Sequence, residues 1–89
     1  MARIAFTRHL RDVGPSELVS YDGATVGELI EAAAADFPRL REYVLDDQGR
    51  LRKHIAVFID GEMKKRSTAL GLAVGKDSEI YVFQALSGG

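Results

Sequence analysis

The chain has 89 residues, twelve of them basic and thirteen acidic for a formal net charge of −1, and 46% of it is hydrophobic. A chain of this length makes one small domain that hides only about 60 to 65% of the surface it exposes when unfolded, which leaves no room for a deep substrate cleft of its own. The balanced charge lacks the positive excess of a nucleic-acid binder, and the absence of cysteine excludes disulfides, thiolate metal ligands and a thiol nucleophile.

The first residues, MARIAFTRHLRDVG, interrupt their apolar run with Arg3, Thr7, Arg8 and His9, so they do not read as a signal peptide. No stretch is apolar for long enough to span a membrane, and a cytoplasmic protein is expected. Ile4 and Phe6 alternate with Arg3, Ala5 and Thr7 as in a half-buried strand. Gly14-Pro15 marks a turn, after which Glu17 to Tyr21 is expected to run back antiparallel until Asp22-Gly23. Thr25, followed three residues later by Glu28, has the capping-box spacing that satisfies orphan amides, so a helix should start at Val26. Val26, Leu29, Ile30, Ala33 and Phe37 form one apolar stripe, and Pro38 ends the helix near Asp36 or Phe37.

An irregular segment through LDDQGRL follows, with Asp46-Asp47 as a turn. His54 to Ile59 is the clearest strand, closed by Asp60-Gly61, a dipeptide suited to a two-residue hairpin. A short return strand is expected through Met63 to Arg66, then a connection pinned by Leu70, Leu72 and Val74, and a last strand from Glu79 to Gln84. The order is that of an α+β domain, with one amphipathic helix laid on one face of a small sheet.

Other features read as structural. Gly71 to Asp77 resembles a phosphate loop, but the spacing is one residue short and Asp77 stands where a magnesium-binding hydroxyl belongs. Lys64-Lys65-Arg66 suits a solvated edge that discourages aggregation. His9 and His54 have no partner at readable spacing, so no catalytic residue and no metal site are assigned.

The chain closes on Gln84-Ala85-Leu86-Ser87-Gly88-Gly89. With nine glycines in 89 residues, two in the last positions would arise by chance about once in a hundred. A strand running straight into Gly88-Gly89 resembles the ubiquitin-like β-grasp sulfur carriers of the MoaD/ThiS family. The carrying stretches are the helix with its Phe37-Pro38 end, His54 to Glu62 (HIAVFIDGE), Gly75 to Ile80 (GKDSEI) and Ala85 to Gly89 (ALSGG). GRLRKHIAVFIDGE, from Gly49 to Glu62, looks more like the CysO-like branch than the short ThiS type. The sequence departs from the family in carrying Gln84 where many members have proline, and Gly75-Lys76-Asp77 where the usual turn is Gly-Asp. Both departures bear on which enzyme the protein serves.

The resemblance implies a ubiquitin-like β-grasp domain over residues 1–89, a small mixed sheet packed against one main helix, with 86–89 as a flexible Gly-Gly tail. It also implies a protein cosubstrate rather than an enzyme. An adenylating, E1-like partner would use ATP and magnesium to join the Gly89 carboxylate to AMP, and sulfur from a donor would displace AMP to leave a thiocarboxylate for an acceptor enzyme. The carrier would bind no cofactor. A ubiquitin-like modifier transferred from Gly89 to target lysines shares the chemistry as far as the acyl-adenylate, and an inert interaction module shares only the fold. Glycine suits positions 88 and 89 because it has no Cβ and lets backbone enter a narrow channel. Four extended residues, Leu86 to Gly89, reach at most about 14 Å.

Strand alternation completes the candidate site. Ile80 and Val82 share one face, and Tyr81 and Phe83 the other; Ile55, Val57 and Ile59 likewise oppose Ala56 and Phe58. The helix stripe covers one face only. The β-branched set suits that core, leaving Phe58, Tyr81 and Phe83, with Leu86 of the tail, as an exposed partner-binding patch.

Overall fold

The computed structural model describes residues 1–7 and 9–85. Strand β1 spans Arg3–Thr7 and β2 Val19–Ser20; helix α1 spans Val26–Asp36 and α2 Leu40–Val44; β3 is Ile55–Ile59, β4 Glu62–Lys64, α3 Arg66–Ala69 and β5 Glu79–Gln84. The five strands form one sheet in the order β2-β1-β5-β3-β4, with β1 and β5 parallel at its centre and the other pairs antiparallel.

Helix α1 starts and stops where its sequence dictates. The Thr25 hydroxyl accepts the Glu28 N–H (3.2 Å), and Glu28 Oε1 accepts the Ala24 N–H (2.9 Å), so the capping box closes one residue wider than its usual form. Val26, Leu29, Ile30 and Ala33 are fully buried, with Phe37 packed partly against them. They meet Ile4, Phe6, Ile80, Val82, Ile55 and Val57 from one face of the sheet in a single core. The hairpin β3-β4 turns on Asp60 (φ 50°) and Gly61 (φ 87°), which pairs Ile59 with Glu62. Two positive φ angles at the centre of a two-residue loop make a type I′ turn, matched to strand twist, and glycine takes that conformation without a Cβ clash.

Four expectations need correction. The second strand covers only Val19–Ser20, because the Phe6 N–H donates to the Pro15 carbonyl (2.7 Å) and the loop takes over the far half of β1. Ala5, grouped by alternation with exposed Arg3 and half-exposed Thr7, is fully buried: its methyl lies in register with the larger Tyr81. Within the irregular segment Leu40–Val44 is a short helix, with Leu40 and Val44 turned inward. The return strand ends at Lys64, two residues early, and Arg66 opens helix α3 instead. The remaining connection is held by its backbone: the Val26 N–H donates to the Leu72 carbonyl (3.1 Å), and the Val74 N–H to the Ala24 carbonyl (2.9 Å).

Candidate functional site: the open sheet face and the root of the tail

The sheet covers its two faces unequally. The helices bury Ile55, Val57, Ile80 and Val82, whereas Phe58 and Phe83 stay half-buried and Tyr81 is 39% exposed. Alternation therefore placed the β3 and β5 side chains on the faces where they lie. Register brings the three aromatics together: Phe58 pairs with Tyr81, and Phe83 lies one step along opposite Ala56. The Phe58 and Phe83 rings stack with centroids 5.4 Å apart and planes 28° from parallel. A shallow hollow of about 540 Å³ opens over them, lined by Thr7, Asp60, Gly61 and Glu79 as well as the three rings. The Arg3 and Glu79 side chains form an ion pair beside it.

Sequence reading missed one member of this face. Met63, 61% exposed, pairs with Phe58 across the hairpin and extends the apolar row to the sheet edge. The signal was available, because a two-residue loop at Asp60-Gly61 fixes the pairing of Ile59 with Glu62 and hence of Phe58 with Met63.

The other assigned positions lie beyond the strand. Leu86, Gly88 and Gly89 fall outside the described residues, as does Arg8. The last described step is anchored: the Ala85 N–H donates to the His54 carbonyl (2.7 Å), so the chain leaves β5 still bonded to the residue before β3. Phe83 on the open face and Gln84 on the helix side are the last two residues of β5.

Two titratable groups are displaced, both away from this site. Burial and then the hydrogen bond to Asp36 (2.9 Å) push the Tyr21 hydroxyl up to about 12. The Arg50 amide, followed by the Gln48 amide, holds the Asp46 carboxyl below its ordinary value, which makes Asp46 the organiser of the LDDQGRL turn. Among the described residues no group of three or more His, Asp or Glu side chains is arranged to hold a metal ion, and no helix is long and apolar enough to cross a membrane.

A small mixed sheet on one main helix, an uncovered aromatic face and a glycine pair just beyond the last strand coincide in one sequence pattern: residues 4–89 match the ThiS family. The chain belongs to the ThiS family. It is 36% identical over 90 residues to small archaeal modifier protein 1 of Haloferax volcanii, a match that covers 100% of this chain and 91% of that protein. The crystal structure of the Haloferax volcanii protein covers 99% of this chain and 98% of its own, at 33% identity and a TM-score of 0.78. The fold also superposes on one chain of the crystal structure of the Amycolatopsis orientalis BexX/CysO complex, covering 100% of this chain and 100% of that one at 22% identity with a TM-score of 0.83. The fold is thus the ubiquitin-like β-grasp.

Proposed function

We propose that this ThiS-family chain is a cytoplasmic sulfur carrier whose reacting group is the Gly89 carboxylate. A partner enzyme holding ATP and magnesium directs a carboxylate oxygen onto the α-phosphate, releasing pyrophosphate and leaving an acyl-adenylate. A carboxylate is a poor electrophile, and the adenylate gives it a leaving group. Hydrosulfide then attacks the acyl carbon and AMP departs, leaving the thiocarboxylate. A persulfide donor gives an acyl disulfide first, and a thiol reductant cleaves its S–S bond. The thiocarboxylate is consumed by an acceptor enzyme in cofactor, cysteine or related biosynthesis. The protein is a cosubstrate throughout and binds no cofactor of its own.

The observation that carries this reading is that the family match runs through Gly88 and Gly89, within five residues of the end of β5 at Gln84. The open face supports it. Phe58, Tyr81, Phe83 and Met63 offer a partner an apolar surface on the strand that leads into the tail, and buried aromatics are the side chains that most often anchor interfaces. Leu86, which lies outside the described residues, is included in the proposed contact as the apolar residue that follows Ala85 in the sequence. ATP-pyrophosphate exchange with the activating enzyme of the same host tests the reading. Exchange should be saturable with the whole chain and absent without Gly88-Gly89; undiminished exchange by the truncated protein contradicts it.

A second reading has its own support. The 36% identity to a protein named as a modifier favours transfer of the activated Gly89 acyl group to lysines of other proteins. Carrier and modifier diverge only after the adenylate, and lysine-linked conjugates in the host distinguish the modifier.

A further inference from the structure

The sheet gathers two basic segments, distant in sequence, around the root of the tail. Strand β1 runs parallel to β5 with Thr7 beside Phe83, so the residues after Thr7 emerge at the C-terminal end of β5. Strand β3 runs antiparallel with Ile55 beside Gln84, so the residues before Ile55 arrive at the same end. The first segment brings His9 and Arg11, the second Arg52, Lys53 and His54, and all five are exposed. Among the described residues, the side chains of His9, Arg11, Lys53 and His54 make no hydrogen bond or ion pair. Arg52 donates from Nε to the Glu42 carbonyl (2.7 Å), which fixes its stem and leaves its terminal nitrogens for another acceptor. The acidic side chains in this neighbourhood are Glu42 and Asp12, and Asp46 and Asp47 face Arg52 from a second hollow that it shares with Glu42, so the cations left uncompensated are chiefly His9, Arg11, Lys53 and His54.

Arg52, Lys53 and His54 of this collar line a hollow of about 410 Å³ together with Glu42, Tyr43, Ile55 and Gln84. Tyr43, 39% exposed, is braced by Arg39, whose Nη2 donates to the Tyr43 hydroxyl (2.9 Å) and whose guanidinium lies 5.5 Å from the ring centroid. The hollow combines an apolar wall with a cationic rim. It sits on the helix side of the sheet, across the tail root from the aromatic face.

We propose that this collar is a second docking element for the activating enzyme, taking a segment of that enzyme in which a carboxylate stands beside an apolar side chain. The inference rests on the proposed activation of Gly89. A partner that admits the tail must bring the mouth of its channel against the tail root, where the collar lies. The nucleotide sits at the reacting carboxylate, as much as about 14 Å beyond Ala85 in an extended chain, so the collar faces the enzyme's surface and not ATP. With the aromatic face on one side of β5 and the cations on the other, the partner grips the strand from both sides. Opposed charges set the register and hasten encounter, and salt screens both effects.

The test compares Arg11→Glu/Lys53→Glu with the whole protein in ATP-pyrophosphate exchange, over a range of salt. Neither side chain makes a hydrogen bond or ion pair among the described residues, so the double variant should keep its melting temperature. Its KM should rise by about tenfold or more and lose most of its salt dependence, while kcat at saturation stays within about twofold. Lys76→Glu, in the turn before the opposite end of β5, should change KM by less than about twofold. An unchanged KM and salt slope in the double variant overturns the collar while leaving activation of Gly89 intact. Absence of exchange by the unaltered protein overturns both. Binding of duplex RNA at physiological salt that the double variant loses, with KM unchanged, reassigns the cations to nucleic acid and likewise overturns the proposal.

Discussion

Phe58→Ala separates a binding surface from a core. The Phe58 ring is half-buried, stacked on Phe83 at 5.4 Å, and closed on one side only. A fully buried Phe→Ala change costs about 3 to 5 kcal/mol through lost transfer energy and the cavity left behind. Phe58 loses less: part of its contact area plus an aromatic pair worth about 0.5 to 1.5 kcal/mol, for about 1 to 2 kcal/mol in all. In a domain of this size that lowers the melting temperature by about 4 to 8 °C per kcal/mol. Its loss from an interface should cost about 1 to 3 kcal/mol of partner binding, or roughly 5- to 150-fold in the KM for the activating enzyme. Phe6→Ala is the reference, since Phe6 is 0% exposed between sheet and helix and should show the full core penalty. Urea denaturation and pyrophosphate exchange on both variants supply the two numbers. A Phe58→Ala cost of about 3 kcal/mol or more with unchanged KM refutes the reasoning, because it places the ring in a core.

Other perturbations probe single interactions. Thr25→Ala removes the hydroxyl that caps the Glu28 amide and should cost about 1 kcal/mol in urea denaturation; Thr25→Ser should recover most of it. Gly61→Val puts a β-branched side chain at φ 87°, and a loss of about 1 to 2 kcal/mol is expected, with register kept by the paired strands. Tyr21 ionises near 10 when unfolded and at about 12 when folded. The raised value means that its contribution is complete below pH 10 and is lost as pH climbs towards 12, so Tyr21→Phe should flatten that alkaline decline. The depressed Asp46 carboxyl acts oppositely: its contribution is present above the ordinary aspartate value and fades as pH falls through the lower folded one. Asp46→Asn should therefore weaken the acid dependence of thermal melting.

What the sequence made legible were features whose signals are local or strictly periodic. The cap at Thr25, the stop before Pro38, the Asp60-Gly61 turn and the inward set Ile55, Val57, Ile80 and Val82 each follow from a spacing or a dihedral preference. Helices α2 and α3 escaped because five and four residues are too few to show a period. Leu40 and Val44, at i and i+4, are helical evidence only once both are seen to be buried. The second strand was overextended because the bond from Phe6 to the Pro15 carbonyl depends on how the loop folds back, which no local pattern encodes. The aromatic face was readable from alternation. The basic collar was not, since the segments carrying His9 and Arg11 and carrying Lys53 reach the same end of β5 only through the parallel pairing of β1 with β5 and the antiparallel pairing of β3 with β5. A net charge of −1 gave no hint of that local concentration.

Intact-mass spectrometry of the protein purified from its own host tests activation at Gly89 most directly. A fraction heavier by the replacement of one oxygen by sulfur, lost on hydrolysis and absent from a variant lacking Gly88-Gly89, is the expected result. A population carrying only the unmodified carboxylate under sulfur-replete and sulfur-starved growth alike, with no lysine-linked conjugates, would contradict it.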